Sequence, residues 1–367
     1  MEKSKSFNFA VLTYFIIVVC FVALRLISSF GLLKFMGGAG DFVFTVVVQI
    51  GLLFCGSVFL FSAFKKQKPQ RAFSQFGVKK VSWKVVWLSV LLGAVVFFIN
   101  TFVSATFNGL IELFGYEHAH GEVIESYSFG SLILNLIFTA LLPGICEEIA
   151  HRGMLLRSFS PLGPWKAILI SSLLFGLLHL NVEQFFYATI IGIFLGVLTM
   201  MSNSIVPAMI VHFMNNALST YMLFSRVNGL PLGKMVTWID TVISSNIFLG
   251  IILSILLLCA LCYLAVFLTR KIFQHRFKED IEIVQKEFNR QLLRQNYLID
   301  VEKAKLGPDA DEVAENALLA KLKEFILADG LIEEEKFKPS SYSKALLYTT
   351  LALGSVITIF TFVWGVL

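Results

Sequence analysis

Long uninterrupted runs of apolar residues dominate this sequence, and they leave few folds open to the chain. An α-helix needs about 20 apolar residues to cross the hydrocarbon core of a bilayer, because each residue rises about 1.5 Å. Hydrophobic residues make up 57% of the chain and charged residues 15%, whereas roughly 25% are charged in a soluble domain. Lipid offers a bare backbone no hydrogen-bond partner, and the alternating pattern of a membrane β-barrel is absent. The sequence therefore predicts an all-α fold, a polytopic membrane helical bundle.

Nine apolar segments are candidate spans, about eight core transmembrane helices and a C-terminal one. They cover residues 9–31, 42–64, 84–108, 130–157, 165–181, 184–201, 204–224, 247–269 and 345–367. The fifth and sixth are short and almost continuous, and the sequence does not decide where they divide around Asn181–Glu183. The first is too long for a signal peptide and lacks a small-residue cleavage pattern, which favours a true span.

The distribution of lysine and arginine predicts the orientation, because cytoplasmic loops carry an excess of both. The connection between spans two and three is basic, with Lys65, Lys66, Lys68, Arg71, Lys79, Lys80 and Lys84. We therefore expect a multi-pass membrane protein with the N-terminus and residues 270–344 cytoplasmic and the C-terminus outside. The unfamiliar C-terminal extension favours a bacterial cell membrane. Arg226 and Lys234 would lie on the outer side, which disagrees with this predicted orientation. The lipid bilayer is an expected partner, whereas nucleic acid is not, because no basic stripe is interleaved with exposed aromatic residues.

Charge divides the chain into segments. Residues 270–344 hold 14 of the 30 basic and 15 of the 25 acidic residues, and their apolar residues recur at helical spacing with a break at Gly307–Pro308. We interpret them as a small cytoplasmic helical insert, either plainly solvated or bound to a cytoplasmic protein partner. The predicted segments are N-terminal helices with a basic loop at 1–83, a membrane core at 84–224, an outer loop and helix at 225–269, the insert at 270–344 and a last helix at 345–367.

Ionisable residues inside membrane helices are costly and usually functional, and the first group of them lies in span four. It reads E-E-I-A-H-R and begins at Glu147. Glu148 and Arg152 are four residues apart, so they share a helix face and can pair. Glu147 points about 100° away, which leaves its carboxylate available. The alternative is a charge cluster at the interfacial end of the helix.

Two further polar pairs occupy spans five and seven, each with a spacing of four residues. Phe175 and His179 lie on one face of span five, and His212 and Asn216 on one face of span seven. Hydrogen bonds between neighbouring helices would explain each pair alone. Counted at about 1.5 Å per residue from the inner surface, however, Glu147, His179 and His212 lie at comparable depths. A water-filled cavity open to the cytoplasm would bring them together.

One carboxylate, two imidazoles and one carboxamide around a common point suit the hydrolysis of an amide. Glu147 with His179 can take a proton from water and so make the nucleophile. His212 and Asn216 can donate hydrogen bonds to the oxyanion as it forms. No serine or cysteine is evidently placed beside a base, so an acyl-enzyme is not favoured.

The order E-E-x-x-x-R, F-x-x-x-H and H-x-x-x-N on successive membrane helices resembles the CPBP group. This group comprises the CAAX prenyl endopeptidases and their prokaryotic relatives, also called the ABI family, and we expect the prokaryotic branch. The resemblance covers roughly residues 84–224, with its motifs in 143–216. It implies an intramembrane glutamic-type protease. By the resemblance, Glu147 and His179 would activate water, His212 and Asn216 would line the oxyanion site, and Glu148, Arg152 and Phe175 would support them.

The resemblance also raises the question of a metal, because the family has been described as metal-dependent. Glu147, His179 and His212 could bind zinc, with water in the fourth position. The motif H-E-x-x-H is absent, however, and asparagine is a poor zinc ligand, so a glutamate mechanism without a cofactor is favoured. In the third connection His118, His120 and Glu122 form another possible metal cluster, which a solvated polar loop explains better.

The resemblance leaves the substrate undetermined. Eukaryotic members of the family remove the last three residues of prenylated proteins, and prokaryotic members have varied roles that include peptide maturation and bacteriocin self-immunity. The expected substrate is a membrane-associated or lipidated protein or peptide. Two other functions stay open. One is a non-catalytic membrane scaffold or regulator with the same fold, and the other is an ion or proton-coupled transporter, although no duplicated halves are found.

Overall fold

The computed structural model describes residues 2–30, 39–118, 127–245, 247–306 and 339–366. Over these ranges the chain is helical and contains no β-strand, so the predicted all-α bundle is confirmed. The described helices, with unbroken segments counted as one, are α1 (Glu2–Ser29), α2 (Ala39–Val46, Val47–Leu60 and Phe61–Lys65), α3 (Pro69–Gln75), α4 (Trp83–Leu113), α5 (Phe129–Asn135, Leu136–Leu141, Leu142–Glu148, Ile149–Leu156 and Arg157–Phe159), α6 (Pro164–Leu178), α7 (Val182–Ser202), α8 (Val206–Val227), α9 (Pro231–Ser245), α10 (Ile247–Leu306) and α11 (Ser341–Val366).

Seven stretches of the described helices are long and apolar enough to cross a membrane, and the chain is a multi-pass membrane protein. They are Lys5–Ser29, Gly40–Phe64, Trp83–Leu113, Phe129–Leu162, Val182–Ser202, Gly250–Lys286 and Ser341–Trp364. The two remaining predicted spans are helices, but they are not long and apolar enough to be counted with these seven. α6 has only 15 residues. α8 has 22 residues, but polar side chains on one of its faces lower its hydropathy.

Two of the long helices change their winding. α2 is π-helical over Val47–Leu60, and α5 is π-helical over Leu136–Leu141 and Ile149–Leu156. A π-turn places one more residue between donor and acceptor than an α-turn does, and such turns are frequent at functional sites. Gln49 and Arg152, both buried polar residues, lie in these stretches.

One apolar cluster in the membrane bundle is shared by α4, α7, α8 and the first part of α10. It contains Val85, Leu92, Val95, Val96, Ile191, Leu195, Leu198, Ala208, Val211, Ala265, Leu268 and Ile272. Because lipid tails are as apolar as side chains, close packing is what holds such helices together. Gly93 of α4 illustrates this. A Cβ at Gly93 would lie 2.4 Å from Cβ of Met214, so α4 and α8 approach closely there.

We expect Gly93→Ala to destabilise the bundle by about 1–3 kcal/mol, because an added methyl group in a filled contact forces the neighbouring backbone to move. Gly109→Ala on the same helix is the control, since nothing lies within 4 Å of its Cβ position. Alanine favours the helix there, so this variant should be neutral or slightly more stable. Thermal unfolding in one detergent measures both variants, and equal melting temperatures would contradict the prediction.

The turn between α6 and α7 shows where the fifth and sixth predicted spans divide, which the sequence did not determine. α6 ends at Leu178 and α7 begins at Val182. The side-chain oxygen of Asn181 accepts hydrogen bonds from the backbone N–H groups of Glu183 and Gln184, as an N-cap residue does. The two helices pack against each other.

The chain divides into two compact units, one of residues 1–274 with 339–367 and one of residues 275–338. In the second unit the described residues are 275–306, which form the C-terminal part of α10. Arg276 pairs there with Asp280 at 2.9 Å and with Glu279, at the spacing that brings side chains together on a helix. The predicted break at Gly307–Pro308 lies outside the described residues.

Candidate active site

The two carboxylates of α5 are both buried and have different partners. Oε1 of Glu148 accepts hydrogen bonds from Arg152 Nη1 at 3.0 Å and from His212 Nδ1 at 2.9 Å. A carboxylate only accepts hydrogen bonds, so His212 carries a proton on Nδ1. Glu148 therefore neutralises the guanidinium on its own helix and orients an imidazole on α8.

Arg152 links three helices around this pair. Its Nη2 donates a hydrogen bond to the backbone oxygen of Gly192 in α7 at 3.1 Å. The guanidinium also lies over the ring of Phe175 in α6, with Cζ 4.5 Å from the ring centroid, in a cation–π contact. An unpaired buried charge is costly, so Arg152 depends on Glu148 and on these two contacts.

Glu147 keeps one carboxylate oxygen without a partner. Its Oε1 accepts a hydrogen bond from Gln49 Nε2 of α2 at 2.8 Å. Its Oε2 has no hydrogen-bond partner among the described residues and lies 3.9 Å from His212 Nε2, which is beyond hydrogen-bond distance. The side chain is only 9% exposed. Oε2 is therefore a buried acceptor beside an imidazole nitrogen, and it is well placed to take a proton.

The ring of Phe175 lies at the centre of three imidazoles. Its centroid is 5.0 Å from that of His151, 5.4 Å from that of His179 and 5.7 Å from that of His212. All three contacts are close to perpendicular, the arrangement that the charge distribution of aromatic rings favours. Phe175 therefore positions the two imidazoles named by the sequence, and the spacing F-x-x-x-H has a packing reason.

His179 lies at the edge of this group. It is half-buried and follows directly after the last residue of α6. It interacts electrostatically with Glu147 and His212, but in the described part of the chain no hydrogen bond joins its ring to either. The predicted water-activating pair of Glu147 and His179 is thus brought into one neighbourhood without a hydrogen bond between them, whereas Nε2 of His212 lies 3.9 Å from Oε2 of Glu147.

The carboxamide of Asn216 is held by α5 and by its own neighbour. Its Nδ2 donates to the backbone oxygen of Thr139 at 3.2 Å, and its Oδ1 accepts from Asn215 Nδ2 at 3.0 Å. A carboxamide nitrogen has two N–H groups, so one N–H of Asn216 is left for a further acceptor.

The similarity of the chain to known proteins falls on this same region. Residues 129–218 match the family model described as Rce1-like, type II CAAX prenyl endopeptidase. This segment belongs to that family. It runs from the start of α5 into α8 and contains all three sequence motifs, so the predicted CPBP relationship is confirmed. No curated protein and no solved structure matches the chain.

Residues outside the Rce1-like segment also contribute to the site, and the sequence analysis missed them. Gln49 of α2 binds the Glu147 carboxylate. The hydroxyl of Tyr14 in α1 lies 2.9 Å from His151 Nε2, and His151 Nδ1 lies 2.8 Å from the backbone oxygen of Glu147. Gln49 is an uncharged amide, so the pattern of ionisable residues does not point to it. The available signal was a single carboxamide within the apolar run of α2.

We expect Gln49→Leu to lower the catalytic rate of the Rce1-like site by about 10–100-fold, because the Glu147 carboxylate then loses its donor and its position. Gln49→Glu would place a second carboxylate beside Glu147 and should be at least as harmful. Gln67→Leu is the control, since this glutamine lies in the α2–α3 turn. A rate equal to that of the wild type for Gln49→Leu would show that Gln49 has no part in positioning Glu147.

Among the described residues, no group of three or more histidine, cysteine, aspartate or glutamate side chains is arranged to hold a metal ion. His212 gives Nδ1 to Glu148 and turns Nε2 toward Glu147. Of the possible outer-loop cluster, His120 and Glu122 lie outside the described residues.

His118 instead joins the ends of two helices. Its Nδ1 lies 3.0 Å from an oxygen of Glu183 at the start of α7, and its Nε2 lies 2.9 Å from an oxygen of Glu112 near the end of α4. The hydrogen bond with Glu183, helped by the charge of Glu112, raises the pKa of His118 above its ordinary value. The protonated form therefore pairs with both carboxylates.

A raised pKa in the folded state predicts how stability depends on pH. The contribution of His118 is complete below its ordinary pKa of about 6.5 and is lost as the pH rises through the raised value. The difference in melting temperature between the wild type and His118→Gln should therefore be largest near pH 6 and should be smaller at about pH 9. We expect the difference to be a few degrees at most, because the pair is partly exposed. A difference that is constant over this range would contradict the prediction.

Proposed function

We propose that this chain is an intramembrane endopeptidase that hydrolyses peptide bonds of membrane-associated or lipidated proteins or peptides. The observation that carries the proposal is the carboxylate of Glu147. It is buried inside a segment that matches a membrane-protease family. Among the described residues its Oε2, like that of Glu148, has no hydrogen-bond partner, but only Oε2 of Glu147 faces an imidazole nitrogen, at 3.9 Å. A buried carboxylate with one open oxygen suits a general base.

In the proposed reaction Glu147 acts on water, with His179 as the second group of the pair. Oε2 takes a proton from the water, whose oxygen forms a bond to the carbonyl carbon of the peptide. The proton then passes to the amide nitrogen, the C–N bond breaks, and a carboxylic acid and an amine leave. The hydrogen bond from Gln49 to Oε1 keeps the carboxylate in place and leaves Oε2 free.

His212 and Asn216 are the proposed donors to the oxyanion. Because Nδ1 of His212 donates to Glu148, the ring would donate to the oxyanion through Nε2, which requires a proton on both nitrogens. Asn216 contributes the N–H that Thr139 does not use. Removal of one such donor from an oxyanion site costs about 2.7–4 kcal/mol of transition-state stabilisation.

The orientation belongs to this proposal as well. The basic connection from Lys65 to Lys84 supports a cytoplasmic location for that loop, the N-terminus and residues 270–344. The site would then open to the cytoplasm, and a cytoplasmic partner of residues 270–344 could deliver or select substrates.

The proposal is tested by comparing the membrane peptides of cells that carry the wild type or Glu147→Gln at equal expression. A precursor that accumulates only in the variant would identify the substrate and support a protease with Glu147 as its base. Glu117→Gln is the matched control, because Glu117 is exposed and belongs to none of the three motifs. No difference over several growth conditions would favour a non-catalytic scaffold and direct attention to the partner of residues 270–344.

A further inference from the structure

A buried tyrosine of the first helix contacts both helices that bear the proposed water-activating pair. Tyr14 lies in the middle of α1, and its side chain is fully buried. Its hydroxyl oxygen lies 2.9 Å from Nε2 of His151 in α5 and 3.1 Å from the backbone oxygen of Leu174 in α6. A buried tyrosine hydroxyl usually finds a hydrogen-bond partner. Here the two partners belong to the helix of Glu147 and to the helix that ends just before His179.

The imidazole of His151 connects this hydroxyl to the backbone of Glu147. Nδ1 of His151 lies 2.8 Å from the backbone oxygen of Glu147. A carbonyl oxygen only accepts hydrogen bonds, so Nδ1 carries a proton. In a neutral ring Nε2 is then an acceptor, and the single hydroxyl proton of Tyr14 is shared between Nε2 and the backbone oxygen of Leu174. Tyr14 therefore orients an imidazole that is bound to the backbone of the proposed base.

The backbone of Glu147 lies where the winding of α5 changes. The α-helical segment Leu142–Glu148 is followed by the π-helical segment Ile149–Leu156. In an α-helix the carbonyl of Glu147 would pair with the backbone N–H four residues on, and in a π-helix with the N–H five residues on. The backbone carbonyl at such a junction has two competing donors. A fixed side-chain donor at this carbonyl favours one geometry of the turn, and with it one direction of the Glu147 side chain.

The second partner of the hydroxyl lies beside the aromatic ring at the centre of the site. Leu174 precedes Phe175, whose ring centroid is 5.0 Å from that of His151 and 5.4 Å from that of His179. The contact with Leu174 therefore helps to set the position of α6, and of His179 at its end, relative to α5. A displacement of about 1 Å between reacting groups can lower a rate about 10²-fold, so this position matters for catalysis.

Packing of α1 against α5 holds Tyr14 in place. The rings of Phe7 and Phe159, both buried, lie 5.0 Å apart, and those of Tyr14 and His151 lie 5.4 Å apart. The later residue of α1 contacts the earlier residue of α5, so the two helices are antiparallel. Two contacts about two turns apart fix how far α1 can slide along α5.

We propose that Tyr14 is a positioning residue of the peptidase site, which acts through His151 on Glu147 and through the backbone of α6 on His179. Its helix lies outside residues 129–218, the segment that matches the Rce1-like family. The proposal rests on the proposed function, because it assigns to Tyr14 a role in that same site. It adds that α1 is required for the geometry in which the water-activating pair works.

The first part of the test uses the substrate that Glu147→Gln causes to accumulate. Tyr14→Phe removes only the hydroxyl and should lower kcat about 10-fold while KM changes less than about twofold, because substrate binding does not involve it. Tyr348→Phe, at an exposed tyrosine of α11, is the matched control and should keep the wild-type kcat. In a His151→Leu background, Tyr14→Phe should lower kcat by less than about threefold, since the two residues act in one chain of contacts.

The second part needs no substrate. With isotope-labelled histidine, NMR of the full chain in bilayers reports the surroundings of each imidazole. Tyr14→Phe should shift the ring signals of His151 and His179, and Tyr348→Phe should leave both unchanged. If Tyr14→Phe does not fold, the wild-type spectrum decides, because a His151 ring protonated on Nε2 alone could not hold the carbonyl of Glu147.

The outcomes separate this proposal from the proposed function. A wild-type kcat in Tyr14→Phe, or an unchanged ring signal of His179, would overturn the role of Tyr14 and leave Glu147 as the base. If Glu147→Gln accumulates no precursor, the peptidase function fails, and the ring signals alone decide whether Tyr14 positions the two imidazoles. Equal losses of kcat from Tyr14→Phe with and without His151 would show that Tyr14 does not act through His151.

Discussion

Replacement of Glu147 by glutamine is expected to lower the rate of peptide-bond hydrolysis by about 10²–10⁴-fold, the range that a general base contributes. An amide oxygen at this position can still accept the hydrogen bond from Gln49, so the variant should fold and insert as the wild type does. What it loses is the ability of Oε2 to take a proton. The measurement is single-turnover cleavage of a substrate identified from the membrane peptides, with both proteins purified in the same detergent.

Two comparisons make this result specific. Glu117→Gln removes the same charge from an exposed position and should cleave at the wild-type rate. Melting temperatures within a few degrees of the wild type would show that the loss in Glu147→Gln is chemical and not structural. If Glu147→Gln cleaves as fast as the wild type, Glu147 is not the base and the proposed mechanism is wrong.

Replacement of Arg152 by methionine is expected to destabilise the protein more than any other single change considered above. Removal of one partner of a buried ion pair costs about 3–5 kcal/mol, because the other charge stays buried and unpaired. In this protein that charge is Glu148, whose side chain is fully buried. The Arg152→Met variant also loses the hydrogen bond to the backbone oxygen of Gly192 and the cation–π contact with Phe175. A melting temperature lower by roughly 5–15 °C is the expected result.

The double variant Arg152→Met with Glu148→Gln separates the charge from the packing. It removes both charges, so it should be more stable than Arg152→Met alone, as the coupling between contacting residues requires. Arg71→Met is the control for loss of an exposed arginine. If the melting temperature of Arg152→Met equals that of the wild type, the Arg152–Glu148 pair contributes nothing to stability and Glu148 is accommodated in another way.

The bundle could be predicted from the sequence because a lipid environment leaves the backbone little choice. Each apolar run had to become a helix, and the described part of the chain has a helix at every one of the nine predicted positions. The ends of the individual helices were harder to predict. α6 ends at Leu178 because the side chain of Asn181 starts the next helix, and this local hydrogen bond outweighs the continuity of the apolar pattern.

The site was predictable only where its contacts run along one helix. The pair of Glu148 and Arg152 follows from a spacing of four residues, and it is present at 3.0 Å. The bond from His212 to Glu148 joins residues 64 positions apart, and that from Gln49 to Glu147 joins residues 98 positions apart. Spacing along the chain carries no information about such contacts, since they depend on which helices become neighbours.

The sequence by itself thus determined the membrane class, the all-α fold and the set of polar side chains that the bundle had to bury, because apolar length and helical periodicity are local properties. Only the tertiary structure decided how the two carboxylates divide their roles. Oε1 of Glu148 takes both the guanidinium of Arg152 and the imidazole of His212, while Oε1 of Glu147 takes Gln49. The second oxygen of each carboxylate has no hydrogen-bond partner among the described residues, and that of Glu147 lies 3.9 Å from His212 Nε2. The physical reason is that a buried charge takes the partners that helix packing brings within hydrogen-bond distance, and that packing is set by side-chain shape across the whole bundle.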